Sequence, residues 1–261
     1  MLEIKDLTIQ YGDKPPVVEN FSLSLKKGEI ITIVGESGSG KSTVLSSILG
    51  LLPNGGKIIS GDIIYNGESM LSKSLNQWRE LRGTEITMIS QDSGGTLNPI
   101  RKIGKQFVEY IQTHSKMSAK EAEEKAEDMF SKVNLPDPEI IMKSYPHQLS
   151  GGMKQRVGIA MALTFHPKII LADEPTSALD VITQAQIVKE IMDLRKKFDT
   201  SIIMVTHNLG VAAYISDKII VMQNGKIVDA GNKNEVIENP KSDYTKKLLA
   251  AVPEIGGERL V

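Results

Sequence analysis

The chain has 261 residues, 31 Lys and Arg against 32 Asp and Glu, and no cysteine. Disulfides, thiolate metal sites, cysteine-ligated iron–sulfur clusters and a cysteine nucleophile are therefore excluded, and a formal net charge of −1 argues against an extended nucleic-acid-binding face. No apolar stretch reaches the ~20 residues that span a bilayer, and Met1-Leu2-Glu3-Ile4-Lys5-Asp6 lacks a signal-peptide pattern, so a soluble cytoplasmic protein is expected, with any membrane role reached through a partner.

Strand-like segments open the chain at Leu2–Thr8 and Glu29–Val34. Residues 1–30 and 57–66, with the turn signal Asn66-Gly67, read as an antiparallel sheet. A helix is expected over Ser42–Leu49 and a strand over Ile86–Ile89. Residues 100–150 read as purely helical: Ser118-Ala119-Lys120-Glu121 has the form of a capping box, and Ala122, Ala126, Met129, Phe130 and Val133 follow at helical spacing. Beyond them come a helix at Met153–Leu163, a strand at Lys168–Ala172, a helix at Thr183–Lys196, a strand at Ser201–Val205, a helix at Asn208–Ile215 and a strand at Lys218–Met222. This alternation argues for an α/β fold with a largely parallel sheet. Residues 241–261 are expected to form a short tail, loose beyond Pro253. The sequence shows no internal repeat and no low-complexity segment.

Gly35-Glu36-Ser37-Gly38-Ser39-Gly40-Lys41-Ser42-Thr43 fits G-x-x-x-x-G-K-[ST] between an apolar strand and a helix. Glycines let the backbone wrap so that successive N–H groups converge on phosphates, and the helix N-terminus adds partial positive charge. Lys41 supplies a full charge near the β- and γ-phosphates, and Ser42 offers a hydroxyl to Mg²⁺. Gly35, Ser37, Gly38, Gly40, Lys41, Ser42 and Thr43 are thus candidate nucleotide-binding residues. The bland alternative, a glycine-rich turn that binds nothing, does not require this strand–loop–helix context.

The apolar run Ile169-Ile170-Leu171-Ala172 ends in Asp173-Glu174. In α/β sheets ligands bind at the C-terminal ends of strands. Asp173 is a candidate Mg²⁺ ligand and Glu174 a candidate general base for water. A pair of solvated carboxylates closing a strand is the competing reading, and Asp-Glu pairs are common.

Leu149-Ser150-Gly151-Gly152-Met153-Lys154-Gln155-Arg156 decides which machine carries the loop. With this segment the chain resembles the ATP-binding-cassette ATPases over nearly its whole length. The resemblance implies a P-loop NTPase (RecA-like) core with an antiparallel β subdomain and an inserted α-helical subdomain. Residues 1–250 would form one ATPase domain, with the core and β subdomain at 1–91 and 161–240 and the helical signature subdomain at about 92–160. It implies ATP and Mg²⁺ as cofactors. Tyr11 fits the aromatic that stacks on adenine, and Gln91 the glutamine that touches Mg²⁺ and couples to membrane subunits. Ser177-Ala178-Leu179-Asp180 fits the loop at the dimer interface, and His207 the histidine that senses the γ-phosphate. Ser150, Gly151 and Gly152 would form a second anion site at a helix start, used when two subunits pack head to tail around ATP.

Each residue also has a plain reading. Tyr11 could be surface, Gln91 a solvent-facing side chain and Asp180 an N-cap. His114, His147 and His166 match no motif and are assigned no chemistry. Lys26-Lys27, Arg195-Lys196-Lys197 and Lys246-Lys247 read as solvated faces.

Three segments resemble the peptide, opine and nickel importer branch: Ser144-Tyr145-Pro146-His147-Gln148, Thr96-Leu97-Asn98-Pro99, and the tail Asn239-Pro240-Lys241-Ser242-Asp243-Tyr244-Thr245-Lys246-Lys247-Leu248-Leu249, similar to a Pro-Tyr-Thr-x-x-Leu-Leu ending. Asp92-Ser93-Gly94-Gly95 departs from the branch's Asp-Pro stretch. Longer members can hold an iron–sulfur cluster in a cysteine-rich extension; none is expected here. The branch implies two transmembrane permease subunits, a homologous second ATPase (or a second copy of this chain), an extracytoplasmic solute-binding protein, and a place on the cytoplasmic face of the cell membrane. The competing classes are a non-transport cassette acting on nucleic acid or ribosomes, and a module that holds ATP without turnover.

Overall fold

A computed structural model describes residues 1–53, 55–177 and 179–252, together with the backbone of 254–255 and 258–259. In chain order the elements are β1 (Leu2–Tyr11), β2 (Val18–Leu25), β3 (Ile30–Val34), α1 (Lys41–Ile48), β4 (Gly56–Tyr65), β5 (Glu68–Ser69), α2 (Leu75–Leu81), β6 (Ile86–Ile89), α3 (Ser93–Thr96), α4 (Ile103–His114), α5 (Ala119–Lys132), α6 (Pro138–Lys143), α7 (Gly151–Leu163), β7 (Ile169–Asp173) and α8 (Val181–Phe198). They continue as β8 (Ser201–Thr206), α9 (Leu209–Ile215), β9 (Lys218–Gln223), β10 (Lys226–Asn232), α10 (Lys233–Glu238), α11 (Asp243–Ala250), β11 (Glu254–Ile255) and β12 (Glu258–Arg259). The chain divides into two compact units, Met1–Trp78 with Ser201–Val261, and Arg79–Thr200.

The first unit contains two sheets. One is antiparallel, in the order β2-β1-β4-β5, with Leu2 opposite Leu25 on one side and Tyr65 on the other. The other has β3 between β8 and β9, parallel to both, with β10 hairpinned antiparallel onto β9. The hairpin turns on Asn224 and Gly225, both at positive φ (49° and 80°), as a two-residue turn between twisted strands requires. All five residues of β3 are buried. This continuous apolar run suits a strand covered on both faces.

Val34 packs with Leu209 and Ala212 of α9, Ile219 and Val221 of β9, Val236 of α10, and Tyr244 and Leu249 of α11. Residues 243–250, expected within a short tail, are therefore a docked helix. Its start is fixed by the buried Asp229 carboxylate, which accepts from the N–H groups of Lys241 (2.8 Å) and Ser242 (3.3 Å). Pro253, Gly256, Gly257, Leu260 and Val261 lie outside the described residues, so the expected loose end is not described.

The second unit pairs β6 with β7 in parallel, Ile86 opposite Ile169 and Ile89 opposite Ala172. Its helices include α5, whose capping box forms as expected: Ser118 accepts from the Glu121 N–H, and the Glu121 carboxylate accepts from the Ser118 N–H. Ala122, Ala126, Met129, Phe130 and Val133 are all buried. Phe107 of α4 packs on Phe130 with ring centroids 5.2 Å apart. Helices α7 and α8 each start two residues earlier than expected, because Ser150 and Asp180 act as their N-caps.

Candidate functional site

Among the described residues of the first unit, the phosphate loop joins β3 to α1. A side chain on Gly35 would place its Cβ 2.2 Å from the Met222 carbonyl oxygen of β9. Gly40 sits at φ 97°, and its Cβ would fall 2.8 Å from the Val17 carbonyl oxygen. Both positions demand glycine, one by close approach and the other also by backbone angle. The loop is further tied at Ser39, whose carbonyl accepts from the Gly225 N–H of the β9–β10 turn (3.2 Å).

Lys41 is 4% exposed. Its Nζ donates to the carbonyls of Gly35 and Glu36, both at 2.8 Å. The ammonium is thus gathered into the loop, at the start of α1. Ser42 stands exposed in the first turn and Thr43 half-buried behind it. Ser37 and Gly38 are exposed at the loop's crest.

In the register of β3 and β8, Val34 lies opposite Thr206. Gly35 and His207 therefore leave adjacent parallel strands at the same edge, the phosphate loop and the histidine side by side. His207 is exposed; Asn208 after it caps α9 by accepting from the Val211 N–H at 3.2 Å. Tyr11 ends β1 opposite Gly56, half-buried, its ring edge 2.8 Å from where a Cβ of Gly56 would sit.

In the second unit, β6 and β7 bring Gln91 and Asp173-Glu174 to the same end of one parallel pair. Asp173 and Glu174 are half-buried and Gln91 is exposed. Glu174 takes φ 43°, a left-handed conformation that is uncommon for a non-glycine residue and that clusters at functional sites. Its carbonyl accepts from the N–H and the hydroxyl of Ser177 (3.2 and 3.1 Å).

The Ser150 hydroxyl oxygen accepts from the Met153 N–H at 3.2 Å and caps α7. Its own proton, and the N–H groups at the helix start, can meet an anion. A Cβ on Gly152 would stand 2.9 Å from Thr183 Cγ2, and Thr183 in turn bonds Asp180 through both its N–H (3.0 Å) and its hydroxyl (2.7 Å). The signature helix and the Asp180 loop thus start against each other. The Thr183 N–H, then its hydroxyl, hold the Asp180 carboxyl below its usual 3.8. Ala178, in the middle of that loop, lies outside the described residues.

Sequence reasoning did not find three supports. Ser93, from the stretch that departs from the importer branch, is buried against α7, where a Cβ on Gly158 would fall 2.5 Å from its Oγ. Arg156 reaches Glu190 of α8 with its guanidinium, at 2.7 to 3.2 Å. Tyr244 of α11 accepts the Glu36 N–H of the phosphate loop at 2.9 Å. The first two have no signal in a single sequence; Tyr244 had one, as the tyrosine of the importer-like ending.

His114 and His166 are held below the usual histidine range by burial, and each packs on an aromatic ring, His114 on Tyr110 and His166 on Phe198. Among the described residues no group of three or more His, Asp or Glu could cage a metal.

A family model described as ABC transporter matches residues 18–177. The oligopeptide transport ATP-binding protein OppD of Bacillus subtilis is 44% identical over 98% of this chain and 72% of its own length. The metal-staphylopine import system ATP-binding protein CntD of Staphylococcus aureus is 41% identical over 98% of this chain and 94% of its own. Among solved structures, the dimeric post-hydrolysis state of the ATP-binding cassette MJ0796 bound to ADP and Pi superposes with a TM-score of 0.77 at 29% identity, over 89% of this chain and 99% of that one.

Proposed function

The chain belongs to the ABC transporter family as an ATP-binding, ATP-hydrolysing cassette of P-loop NTPase fold, and on that premise we propose that it energises import of peptides or metal chelates through a membrane permease. The observation that carries this reading is the likeness, over almost the whole chain, to ATPases named for oligopeptide and for metal-staphylopine transport. These relatives give no support to a cassette acting on nucleic acid or ribosomes.

In this reading residues 1–250 work as one ATPase domain, with the nucleotide core and β subdomain at 1–91 and 161–240 and the signature subdomain at about 92–160. The loop N–H groups and Lys41 hold the β- and γ-phosphates, and Tyr11 stacks on adenine. Glu174 takes the proton of the attacking water as its oxygen bonds to the γ-phosphorus and the bond to the β–γ bridging oxygen breaks. His207, beside the loop, holds the γ-phosphate in line.

Mg²⁺ suits the donors: the Ser42 hydroxyl, the Gln91 amide oxygen and the Asp173 carboxylate are hard oxygens. These three side chains would hold the ion if it binds, a small set of hard oxygen donors of the kind Mg²⁺ takes. Once bound there, it would supply neutralisation of the charge developing on the phosphates.

Ser150, Gly151, Gly152 and Asp180 serve the ATP of a facing ATPase, a homologous subunit or a second copy packed head to tail. ATP then closes the dimer and its hydrolysis opens it, driving two permease subunits fed by a solute-binding protein between two states. Among the described residues no helix is long and apolar enough to cross a membrane. The likeness to importer ATPases supports a place for the chain as a peripheral subunit on the cytoplasmic face.

The test is uptake in cells with and without this chain, using a labelled oligopeptide and, separately, labelled nickel with and without chelator. Loss of either uptake on deletion supports the importer reading and chooses its solute. Unchanged uptake of both overturns it.

A further inference from the structure

The geometry points to Tyr244 as a positioning residue of the phosphate loop, one that orients Lys41 from the far end of the chain. It rests on the reading that this loop binds ATP.

The peptide unit between Gly35 and Glu36 is held on both sides. Its N–H, belonging to Glu36, donates to the Tyr244 hydroxyl at 2.9 Å. Its C=O, belonging to Gly35, accepts from Lys41 Nζ at 2.8 Å. In a trans peptide the N–H and C=O point in opposite directions across a rigid plane. Fixing one end of that plane fixes the other. Tyr244 therefore sets the direction of the carbonyl that holds the lysine charge.

The brace is built into the core. Tyr244 is 9% exposed and packs with Val34, the last residue of the strand that leads into the loop. Burial raises its hydroxyl above the usual tyrosine value, so it stays protonated at neutral pH, its oxygen lone pairs available to the amide. The helix that carries it is seated independently: Asp229 holds the backbone at Lys241 and Ser242, Ser242 accepts from the Tyr244 N–H at 3.1 Å, and Leu249 is 2% exposed in the same core. A tyrosine on a rigid platform, aimed at one loop amide, preorganises a binding group as a second layer of contacts should.

The experiment removes only the hydroxyl. In Tyr244→Phe the ring still fills the core, and the Kd of a fluorescent ATP analogue should rise about fivefold, the worth of one net hydrogen bond, with the melting temperature unchanged. A role confined to packing would instead lower the melting temperature of Tyr244→Phe and leave its Kd unchanged. Because the effect passes through Lys41, Tyr244→Phe in a Lys41→Ala background should change Kd less than twofold. An unchanged Kd in the single variant, or the same fivefold loss without Lys41, overturns the inference while leaving ATP binding by the chain intact. Failure of the unaltered chain to bind the analogue overturns the functional reading, and this inference with it.

Discussion

The two units carry their candidate site residues in different ways. In the first, the candidate phosphate loop is fixed by backbone and by one buried side chain: Gly35 and Gly40 sit where a Cβ would strike carbonyl oxygens, and Lys41 is gathered among loop carbonyls, with Ser42 and His207 exposed beside them. In the second, Gln91, Ser150 and Asp180 are exposed and stand at strand or helix ends, and Glu174 holds an unusual backbone angle. A binding cradle can be rigid at all times. Groups that act on water or on a facing subunit's nucleotide must stay accessible. On the proposed roles, Lys41 of the first unit serves affinity and Glu174 of the second serves turnover, and variants at these two residues separate the two properties.

The largest effect is expected at Glu174. Glu174→Gln keeps size and shape but removes the base, so Mg²⁺-dependent ATP turnover should fall ~10²–10⁴-fold while ATP affinity holds. Lys41→Ala should do the opposite, weakening ATP binding by about 100-fold through loss of charge-assisted hydrogen bonds, as read by titration with a fluorescent analogue. Equal loss of affinity in both variants would erase the distinction between the units.

Next comes the tie between the signature helix and α8. Arg156→Met retains the aliphatic stem but strands the Glu190 carboxylate, whose side chain is only 15% exposed. The folded state should lose about 1–2 kcal/mol, measured as a lower urea midpoint, with ATP affinity at the first unit's loop unaltered. A fall in affinity would show the two units to be less separable than proposed.

The smallest effect is pH-dependent. Thr183 holds the Asp180 carboxyl below its usual 3.8, so the capping carboxylate binds its proton less readily folded than unfolded. Its contribution is fully present above the unfolded value and is lost as pH falls through the folded one. The melting-temperature gap between the unaltered chain and Asp180→Asn should be small at neutral pH and should close in acid. A gap that widens in acid would reverse the sign and count against the cap.

What could be read from the sequence follows from range. Ile30–Val34, Ile86–Ile89 and 169–172 are short, mostly apolar runs whose neighbours in sequence bound them, and they appear as strands buried except at Met88. The Ser118 capping box and the α5 stripe are local patterns and form as read. Strand β10 and helix α11 carry no such local pattern. Lys226–Asn232 has little apolar content, and α11 owes its place to Asp229 and Val34. Those partners lie 12 and more residues away. Tyr244 and Glu36 are separated by 208 positions, a distance at which spacing conveys nothing. The left-handed turn at Glu174 has no glycine or asparagine to announce it; it is imposed by the fold around it.

The division of labour between Lys41 and Glu174 is measured by putting Lys41→Ala and Glu174→Gln side by side, with ATP binding and single-turnover hydrolysis followed on each. The lysine variant should lose binding, and the glutamate variant should bind as the unaltered chain does yet fail to hydrolyse what it holds. Hydrolysis by Glu174→Gln at the unaltered rate would contradict that division.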